Sequence, residues 1–480
     1  MYRRLGLLTL IVLIIASNTG FASNFSIFEN GVRASGMGGA FVAIANDGSA
    51  IFYNPAGIAF QKGTRLQMDS LGVIGLFRFF PSSTPPGTVV PEKGFNVNVK
   101  PHLIPVASMY LSKSLPRKLT FGFGLFAPFG LSANATSFKD SDPKNTKFVA
   151  RFSGSRAALQ SFWFQPTVAY RLTENSAFAV GVAWVHTHLF IEQSILNPLD
   201  DGVVFGQQVA SKVFPGTDPT QAGKSIARLL PEGRSRLAGT SDGPGFNAGY
   251  LYRHEKSKTS VGLMWRSSVV HHLSGKASFA FTTGYPLEAF VGKDTIPNLF
   301  PAQSIKGSFV TPATYSMGFA NSAFWHSTIS AQFDIQDYQR FKDVPVNFSI
   351  TKDVATPAEL RLNFSMRNSY IARLGFEKSM SESMTIRAGY IFDRSPVTDA
   401  SVGPLFPDSS RHNFTVGFSR LMMGNKEFSF FYQAMKFLNR TTNVAENDKV
   451  FTNGEYQNFA HLFGFGLRIH LGEFVHPFDR

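Results

Sequence analysis

Few residues in this chain have the types and spacing that catalysis or metal binding requires. The sequence contains no cysteine, which excludes disulfides, thiolate metal sites and cysteine nucleophiles. His186 and His188 would lie on one face of a strand, but no carboxylates at a defined spacing accompany them as metal ligands. The run Gly36-Met-Gly-Gly39 lacks the Gly-Lys-Ser/Thr of a phosphate-binding loop. We therefore expect no enzymatic activity, no metal and no cofactor.

Two arginines have positions suited to holding an anionic headgroup. Arg387 falls on the polar face of a segment with strict alternation, and an inward-facing arginine can pair with a carboxylate through two hydrogen bonds. The alternative is that Arg387 links the strand to the N-terminal segment, for instance through Asp47. Arg156 is a second ligand-binding candidate, whose register the sequence leaves open.

The elements that would position these arginines follow from composition. Charged residues are 16% of the 480 residues, hydrophobic residues 44%, and 50 residues are phenylalanine. Beyond the N-terminus no apolar run reaches the roughly 20 residues of a membrane-spanning helix. Apolar residues instead alternate with small or polar ones, as in 329–336, 384–393 and 463–471. This pattern is typical of a transmembrane β-barrel.

Charge and the N-terminus indicate the compartment. The net charge is +14, but the basic residues are scattered, so we expect no nucleic acid partner. Arg3 and Arg4 precede an apolar stretch that ends in small residues, which predicts a secretory signal peptide at 1–22. An uncleaved anchor helix is the alternative. Together these features favour the bacterial outer membrane.

The spacing of strands and connections predicts the architecture. About fourteen strands fall near 64–79, 96–112, 119–131, 159–172, 176–193, 244–254, 257–273, 305–321, 326–338, 369–379, 383–393, 411–421, 426–439 and 457–471. The connections alternate between short and long, as periplasmic turns and external loops do. We therefore expect an all-β fold, a transmembrane antiparallel barrel, over 63–480. Its longest loop, 194–243, contains a helix-compatible piece at 206–230 and is either a surface shield or a ligand-capture element.

The segment at 23–62 differs from the strands that follow it. It is rich in glycine and alanine, which allows close packing inside a barrel. Asp47 can cap a short helix, and Asn54 can cap a second one with Pro55 at its first position. We expect a small helical hatch that plugs the lumen.

The stretch from Asn30 to Gly57 resembles the N-terminal hatch of FadL/TodX-type outer-membrane transporters. Asn54-Pro55-Ala56 is similar to their NPA motif, and further resemblance lies in Phe126-Ala-Pro-Phe-Gly130, in 387–397 and in Phe406-Pro-Asp408. The resemblance implies a monomeric, multi-pass barrel that takes up hydrophobic compounds such as long-chain fatty acids without an energy source. A capture groove among the external loops, an inner pocket, and hatch or lateral gating would form the route.

The resemblance also implies roles for particular residues. Phe25 and Phe28, close to the mature N-terminus, are ligand-binding candidates at the inner pocket, although a buried plug contact would explain them equally well. Gly122, Gly124 and Pro128 are lateral-gate candidates, because glycine and proline weaken a strand ladder. A flexible turn entry is the alternative.

Two other functions remain open at this stage. One is a general porin for polar solutes, and the other is a structural or adhesive surface barrel that uses the long loops. The expected partners are a hydrophobic small molecule and outer-membrane lipids. The sequence does not distinguish fatty acids from aromatic hydrocarbons.

Overall fold

The computed structural model describes residues 26–82, 97–98, 103–134, 149–152, 154–197, 201–213, 216, 218–352, 354–403, 407–422, 425–443 and 452–471. The predicted signal peptide and Phe25 lie outside these ranges. Within them, no helix is both long and apolar enough to cross a bilayer.

The described residues form fourteen antiparallel strands, six of which are interrupted. The strands are β1 (Thr64–Pro81), β2 (Val97–Asn98 and Leu103–Ser114), β3 (Leu119–Asn134), β4 (Arg156–Arg171), β5 (Ser176–Ile195), β6 (Gly233–His254), β7 (Thr259–Arg266 and Val269–Phe281), β8 (Gln303–Thr311 and Thr314–Phe324), β9 (Ser327–Gln336 and Asp343–Phe348), β10 (Glu359–Asn363 and Ser369–Ser379), β11 (Met384–Asp393), β12 (Arg411–Met422), β13 (Lys426–Phe437 and Arg440–Thr442) and β14 (Gly454–Leu471).

The sheet closes on itself. β14 pairs with β1 along its whole length, from Thr64 opposite Leu471 to Pro81 opposite Gly454. Each strand also pairs with its neighbours in sequence, so the barrel has no free edge. The predicted all-β transmembrane barrel is therefore confirmed. Its short turns, such as 172–175 and 325–326, lie at one end, which we take as periplasmic, and its long connections lie at the other.

Four predicted strand boundaries differ from the structure by about eight residues or more. β6 begins at Gly233 and not near 244, β7 continues to Phe281 and not to 273, β9 continues to Phe348 and not to 338, and β10 begins at Glu359 and not near 369. The reason is that these strands extend beyond the apolar band, where outward positions such as Ser274 and Lys276 are polar and give no membrane signal. The connection before β6, at 196–232, is correspondingly shorter than the predicted 194–243. The predicted helical piece in it consists of two helices, α3 (Asp201–Val213) and α4 (Pro219–Ala227).

Alternation divides the wall into two faces. On β5 the side chains of Phe178, Val180, Val182 and Trp184 are exposed, whereas those of Ala177, Ala179 and Ala183 are buried. The apolar set faces lipid, and the small set faces the lumen, where it leaves space for other elements. This arrangement explains how a chain rich in phenylalanine keeps a mean hydropathy near zero.

The lumen is filled by the segment that precedes β1. This segment contains two helices, α1 (Val32–Gly36) and α2 (Ala50–Tyr53), followed by a 3-10 helix, Pro55–Phe60. Almost all of its side chains are buried. As predicted, Asn54 caps the second helical turn, since its Oδ1 accepts from Ala56 N at 3.2 Å. Asp47 Oδ1 accepts from Ser49 N at 2.9 Å, just before α2.

The remaining helices belong to the connections. They are α5 (Glu288–Val291), α6 (Thr295–Asn298) and the 3-10 helices Val149–Phe152, Tyr338–Arg340 and Asp399–Ser401. α3, α4 and α6 share an apolar cluster above the barrel, which includes Phe205, Ile226, Ile296 and Phe300.

Candidate functional site

The NPA motif joins three parts of the molecule at a single side chain. Asn54 is fully buried, and its Nδ2 donates to Val42 O at 2.8 Å within the hatch and to Tyr250 O at 3.0 Å on β6. Gly249 lies against it, since a Cβ there would stand 2.2 Å from Asn54 Oδ1 and 2.7 Å from Pro55 Cδ. The motif therefore fixes the fold of the hatch and attaches it to the wall.

Side chains of the wall also hold the hatch backbone. Gln332 Oε1 accepts from the amides of Phe41 and Val42, both at 2.9 Å, and Arg373 Nη1 donates to Gly38 O at 3.0 Å. Two strands away from Gln332, on β7, Arg266 Nη2 donates to Phe52 O at 2.6 Å. Asn247 Nδ2 donates to Ile51 O at 3.1 Å. Such bonds satisfy backbone groups that would otherwise be buried without partners.

Arg387 lies in an ion-pair layer between the hatch and the periplasmic part of the wall. Its Nε donates to Glu377 Oε2 at 2.6 Å, and its Nη1 donates to Ser419 Oγ at 2.6 Å. Glu377 also receives two bonds from Arg33 of α1, at 2.7 and 2.8 Å. Arg387 is thus part of a link between wall and hatch, but the linking carboxylate is Glu377 and not Asp47. Arg387 does not line the cavity described below.

Asp47 belongs to the same layer. Its Oδ2 lies 3.7 Å from Arg33 Nη1 and 3.8 Å from Arg468 Nη1. Arg468 also pairs with Glu427. Every arginine of this layer therefore has a carboxylate partner, so the layer acts as an electrostatic attachment of the hatch.

Arg156 lies at the opposite end of the barrel. It occupies the extracellular end of β4, on the outward face that exposes Val168 and Tyr170 lower down. Its guanidinium stands 5.6 Å from the centre of the Phe190 ring, and its ladder partner is Glu192. It does not line the cavity either.

The wall has an irregular ladder at β3. β2 pairs with β3 from Ser114 opposite Thr120 only as far as Met109 opposite Leu125. The β3–β4 register then shifts between Phe126 and Phe129, a segment that contains Pro128. A bulge of this kind bends a strand and leaves backbone groups unpaired.

The N-terminal end of the hatch occupies this irregularity. Ile27 N donates to Pro128 O at 2.8 Å, and Ser26 forms an isolated antiparallel bridge with Phe129. The Asn30 side chain bonds both the N–H and the C=O of Ala127, at 3.3 and 3.4 Å. The hatch therefore supplies the partners that the neighbouring strand does not provide.

The two glycines predicted for the gate lie below the irregularity. Gly122 and Gly124 are in the regular part of β3, facing the hatch. A Cβ at either position would come within 2.9 Å of the Ile51 side chain. Their place in the structure is thus a packing surface for α2, whereas Pro128 lies at the break itself.

A narrow cavity lies between the hatch and the wall, toward the extracellular side. Its free volume is about 30 Å³, room for one or two water molecules. Apolar side chains form most of its lining, namely Ile27, Phe28, Val73, Phe77, Ile391, Met435, Ala460 and Leu462. Its polar lining consists of Ser26, Glu29, Arg373, Asp393, Arg411 and Asn413.

Phe28 is the sequence-predicted ligand residue that reaches this cavity. Its ring lies 4.5 Å from the Arg373 guanidinium, and its carbonyl accepts from the Tyr53 hydroxyl at 2.6 Å. Burial raises the pKa of Tyr53, with Glu29 acting in the same direction, so this hydroxyl remains a donor. Phe28 therefore forms part of the cavity wall while the hatch is in place.

Arg373 and Arg411, which sequence reasoning did not select, are the arginines of the cavity. Arg373 Nε donates to Asp334 Oδ2 at 2.6 Å. Arg411 pairs with Asp393, and its Nη1 lies 3.3 Å from Asp408 Oδ1. The sequence did contain a sign of Arg373, because it lies four positions from Glu377 on β10 and the period-two alternation places both on the inward face.

Comparison with known proteins agrees with this architecture. A model of the outer membrane protein transport protein family (OMPP1/FadL/TodX) matches residues 13–470. The chain belongs to this family. FadL/TodX proteins are outer-membrane transport channels for hydrophobic compounds, and this confirms both the resemblance read from the hatch motif and the predicted outer-membrane location.

Individual relatives of this FadL/TodX chain are distant in sequence. An outer membrane protein of Neisseria meningitidis serogroup B is 24% identical over 461 residues, which cover 92% of this chain and 93% of the relative. A FadL homologue of Pseudomonas aeruginosa has the same fold, with a TM-score of 0.75, 16% identity, and coverage of 94% of this chain and 100% of the other. The toluene transporter TodX of Pseudomonas putida gives a TM-score of 0.63, 15% identity, and coverage of 93% and 99%.

Proposed function

We propose that this channel mediates passive uptake of uncharged hydrophobic compounds, and that carboxylates such as long-chain fatty acids are the weaker substrates. The observation that carries this proposal is the charge balance at the cavity. The two arginines of the lining, Arg373 and Arg411, are balanced by its two carboxylates, Glu29 and Asp393. Arg373 also pairs with Asp334 and Arg411 with Asp408, both outside the lining, so neither guanidinium is left free to bind an anionic headgroup.

The remaining cavity lining suits an apolar ligand. Eight of the fourteen lining residues are hydrophobic, and they come from both the hatch and the wall. Burying an apolar molecule against them is favourable by about 25 cal/mol for each Å² removed from water. A neutral hydrocarbon gains this free energy without the cost of burying a carboxylate that has no free cation to pair with.

The route of release would run through the β3 irregularity. Ser26, Ile27 and Phe28 line the cavity, and Ser26 and Ile27 are also the residues that bond β3. Movement of this short segment would enlarge the cavity and open the unpaired part of the wall at once. Because the cavity has room for only one or two water molecules while the hatch is in place, such movement is required before any hydrocarbon enters.

A general porin is the weaker alternative. A polar solute would need a continuous aqueous path, whereas the buried hatch fills the lumen at the level of the NPA motif. The cavity gives no support to a purely adhesive role. An adhesive surface would have to lie elsewhere, for instance on the external helices α3 and α4.

Uptake assays separate these functions. We expect cells that express the protein to accumulate labelled toluene faster than a deletion strain does, with no difference for a labelled disaccharide. Equal toluene uptake in the two strains would refute the proposal. Faster disaccharide uptake would instead indicate a porin.

A further inference from the structure

Three cations form a row on the outer surface of the barrel, away from the transport route. Arg236 on β6, Lys276 on β7 and Lys306 on β8 all point outward and are exposed. Arg236 Nε donates to Glu192 Oε2 at 2.6 Å. Within the described ranges, neither lysine has an ion pair or a hydrogen bond with another side chain.

The ladder makes these residues neighbours. Arg236 is opposite Ser278, two positions from Lys276, and Lys276 is opposite Ser304, two positions from Lys306. Diagonal residues of this type lie about 7–8 Å apart. The side chains are long enough for the three charges to share one multivalent anion.

The stagger of the barrel brings the row to one height. β8 continues to Phe324, past Asn321, the partner of Thr259 where β7 begins. Because barrel strands are tilted, two ladder partners do not stand at the same height. The β8 residue that is level with a given β7 residue therefore lies C-terminal to the ladder partner of that β7 residue. Lys306, which lies two residues C-terminal to the partner of Lys276, thus stands level with it above the membrane.

The row stands above the apolar band of the wall. On β7 the outward residues from Val261 to Val270 are apolar, and they span about 23 Å for strands tilted by about 40°. This height matches the roughly 25 Å apolar band of outer-membrane barrels. Lys306 stands four residues, or about 10 Å, above the outward Val310, and Lys276 stands six residues, or about 15 Å, above the outward Val270. Their side chains can reach down over part of this distance.

Placing like charges diagonally on adjacent strands is unfavourable unless an anion neutralises them. Among the described residues, two carboxylates flank the row, and each is already bonded to an arginine. Glu192 pairs with Arg236, and Glu359, across Asn347 from Lys306, pairs with Arg361. Since Arg156 also lies opposite Glu192, five cations face two carboxylates, and the set keeps a surplus positive charge above the apolar band. Lysine and arginine at this level bind phosphate oxygens through charge-assisted hydrogen bonds.

We propose that this row is a binding site for a phosphorylated glycolipid of the outer leaflet, with Lys276 and Lys306 as its phosphate ligands. The apolar wall farther down, which begins at Val270 and Val310, would accept the acyl chains of the same molecule. The site fixes the height and rotation of the barrel in the membrane, and it requires no change in the transport route.

The test measures lipid binding to the purified full-length protein in detergent. The probe is lipid A with two phosphates, in mixed micelles, and the readout is the dissociation constant. We expect Lys276→Gln combined with Lys306→Gln to weaken binding about tenfold. The matched control is Lys113→Gln combined with Lys426→Gln, which removes two exposed, outward lysines at the periplasmic end and should leave binding unchanged.

Two further arms identify the ligand. Dephosphorylated lipid A should bind the parent protein as weakly as lipid A binds the Lys276/Lys306 variant, and millimolar inorganic phosphate should not displace lipid A. Heat-modifiable gel mobility verifies that each variant is folded. Unchanged binding by the Lys276/Lys306 variant, equal loss in the control, indifference to dephosphorylation, or displacement by inorganic phosphate would each overturn the proposal.

Discussion

Ile27 N donates a hydrogen bond to Pro128 O at 2.8 Å, and so the N-terminal end of the hatch supplies a partner where the barrel ladder is interrupted. Pro128 has no N–H of its own, and the β2–β3 ladder stops at Leu125. Only a few bonds between Ser26–Asn30 and 127–129 therefore close this part of the wall. A contact made by few bonds can open without unfolding the barrel, as the proposed gate requires.

A disulfide across the gate should stop transport. Ser26 and Phe129 are bridge partners, so Ser26→Cys with Phe129→Cys brings two cysteines to a spacing that a disulfide can span. The absence of native cysteine makes this pair the only thiols present. We expect uptake of toluene to fall at least tenfold under oxidation and to recover on reduction. Each single-cysteine variant is the control, and undiminished uptake in the oxidised double variant would show that this segment does not gate.

Removing the NPA side chains should impair the hatch more than the barrel. Asn54→Ala leaves Val42 O and Tyr250 O without this donor, at a cost of about 1–3 kcal/mol to hatch docking. Because the strands keep their own ladders, heat-modifiable mobility should be retained, while uptake changes severalfold. Pro55→Ala should have a smaller effect in the same direction. Loss of the folded barrel in Asn54→Ala would contradict this expectation.

The ion-pair layer should affect the stability of the docked hatch and not the selectivity for charged ligands. Glu377→Gln removes the carboxylate that Arg33 and Arg387 share and leaves both guanidiniums buried. Breaking a buried pair in this way costs about 3–5 kcal/mol. Hydrogen exchange within 31–60 should accelerate, with little change in β1 or β14.

Arg387→Ala should then reduce uptake of carboxylates and of uncharged hydrocarbons equally. This outcome would distinguish a structural link from a ligand anchor. A selective loss of carboxylate binding would instead support the anchor role that the alternation pattern suggested for this arginine.

The external connections should loosen in acid. Burial opposes ionisation of Glu232, but the hydrogen bonds and charge of Arg151 outweigh burial and lower the pKa of this carboxyl below its ordinary value of 4.5. A lowered pKa means that the Arg151–Glu232 contact stabilises the loops fully above about pH 4.5, and that this contribution is lost as the pH falls below that value. Proteolysis within 149–152 should therefore increase in that range. Glu232→Gln should show the increase already at pH 7, and a pH-independent rate in the parent protein would contradict the assignment.

The barrel was largely predictable from sequence because its signal is repeated many times. Period-two alternation and the alternating connection lengths define most strands to within a few residues. Errors occurred where this signal ends, as at Gly233 and Phe281, since strands above the membrane have polar outward residues. The helix start at Asn54 and Pro55 was also predictable, because the cap and the first helical position depend only on adjacent residues.

The cavity was less predictable, for a physical reason. Alternation shows that Arg373, Glu377 and Arg387 face inward, but not which carboxylate each arginine meets. Those partners come from different strands and from the hatch, as with Arg33 and Glu377, which are 344 positions apart in the sequence. An inward arginine therefore looks like a ligand anchor until its carboxylate is known.

The most direct test of the account uses two ligands with the same apolar body, butylbenzene and 4-phenylbutanoate. Initial uptake of each labelled compound is compared between expressing cells and a deletion strain. Because Arg373 and Arg411 are already neutralised by carboxylates, we predict that the protein accelerates butylbenzene uptake several times more than phenylbutanoate uptake. Equal acceleration of the two compounds, or preference for the carboxylate, would contradict the account.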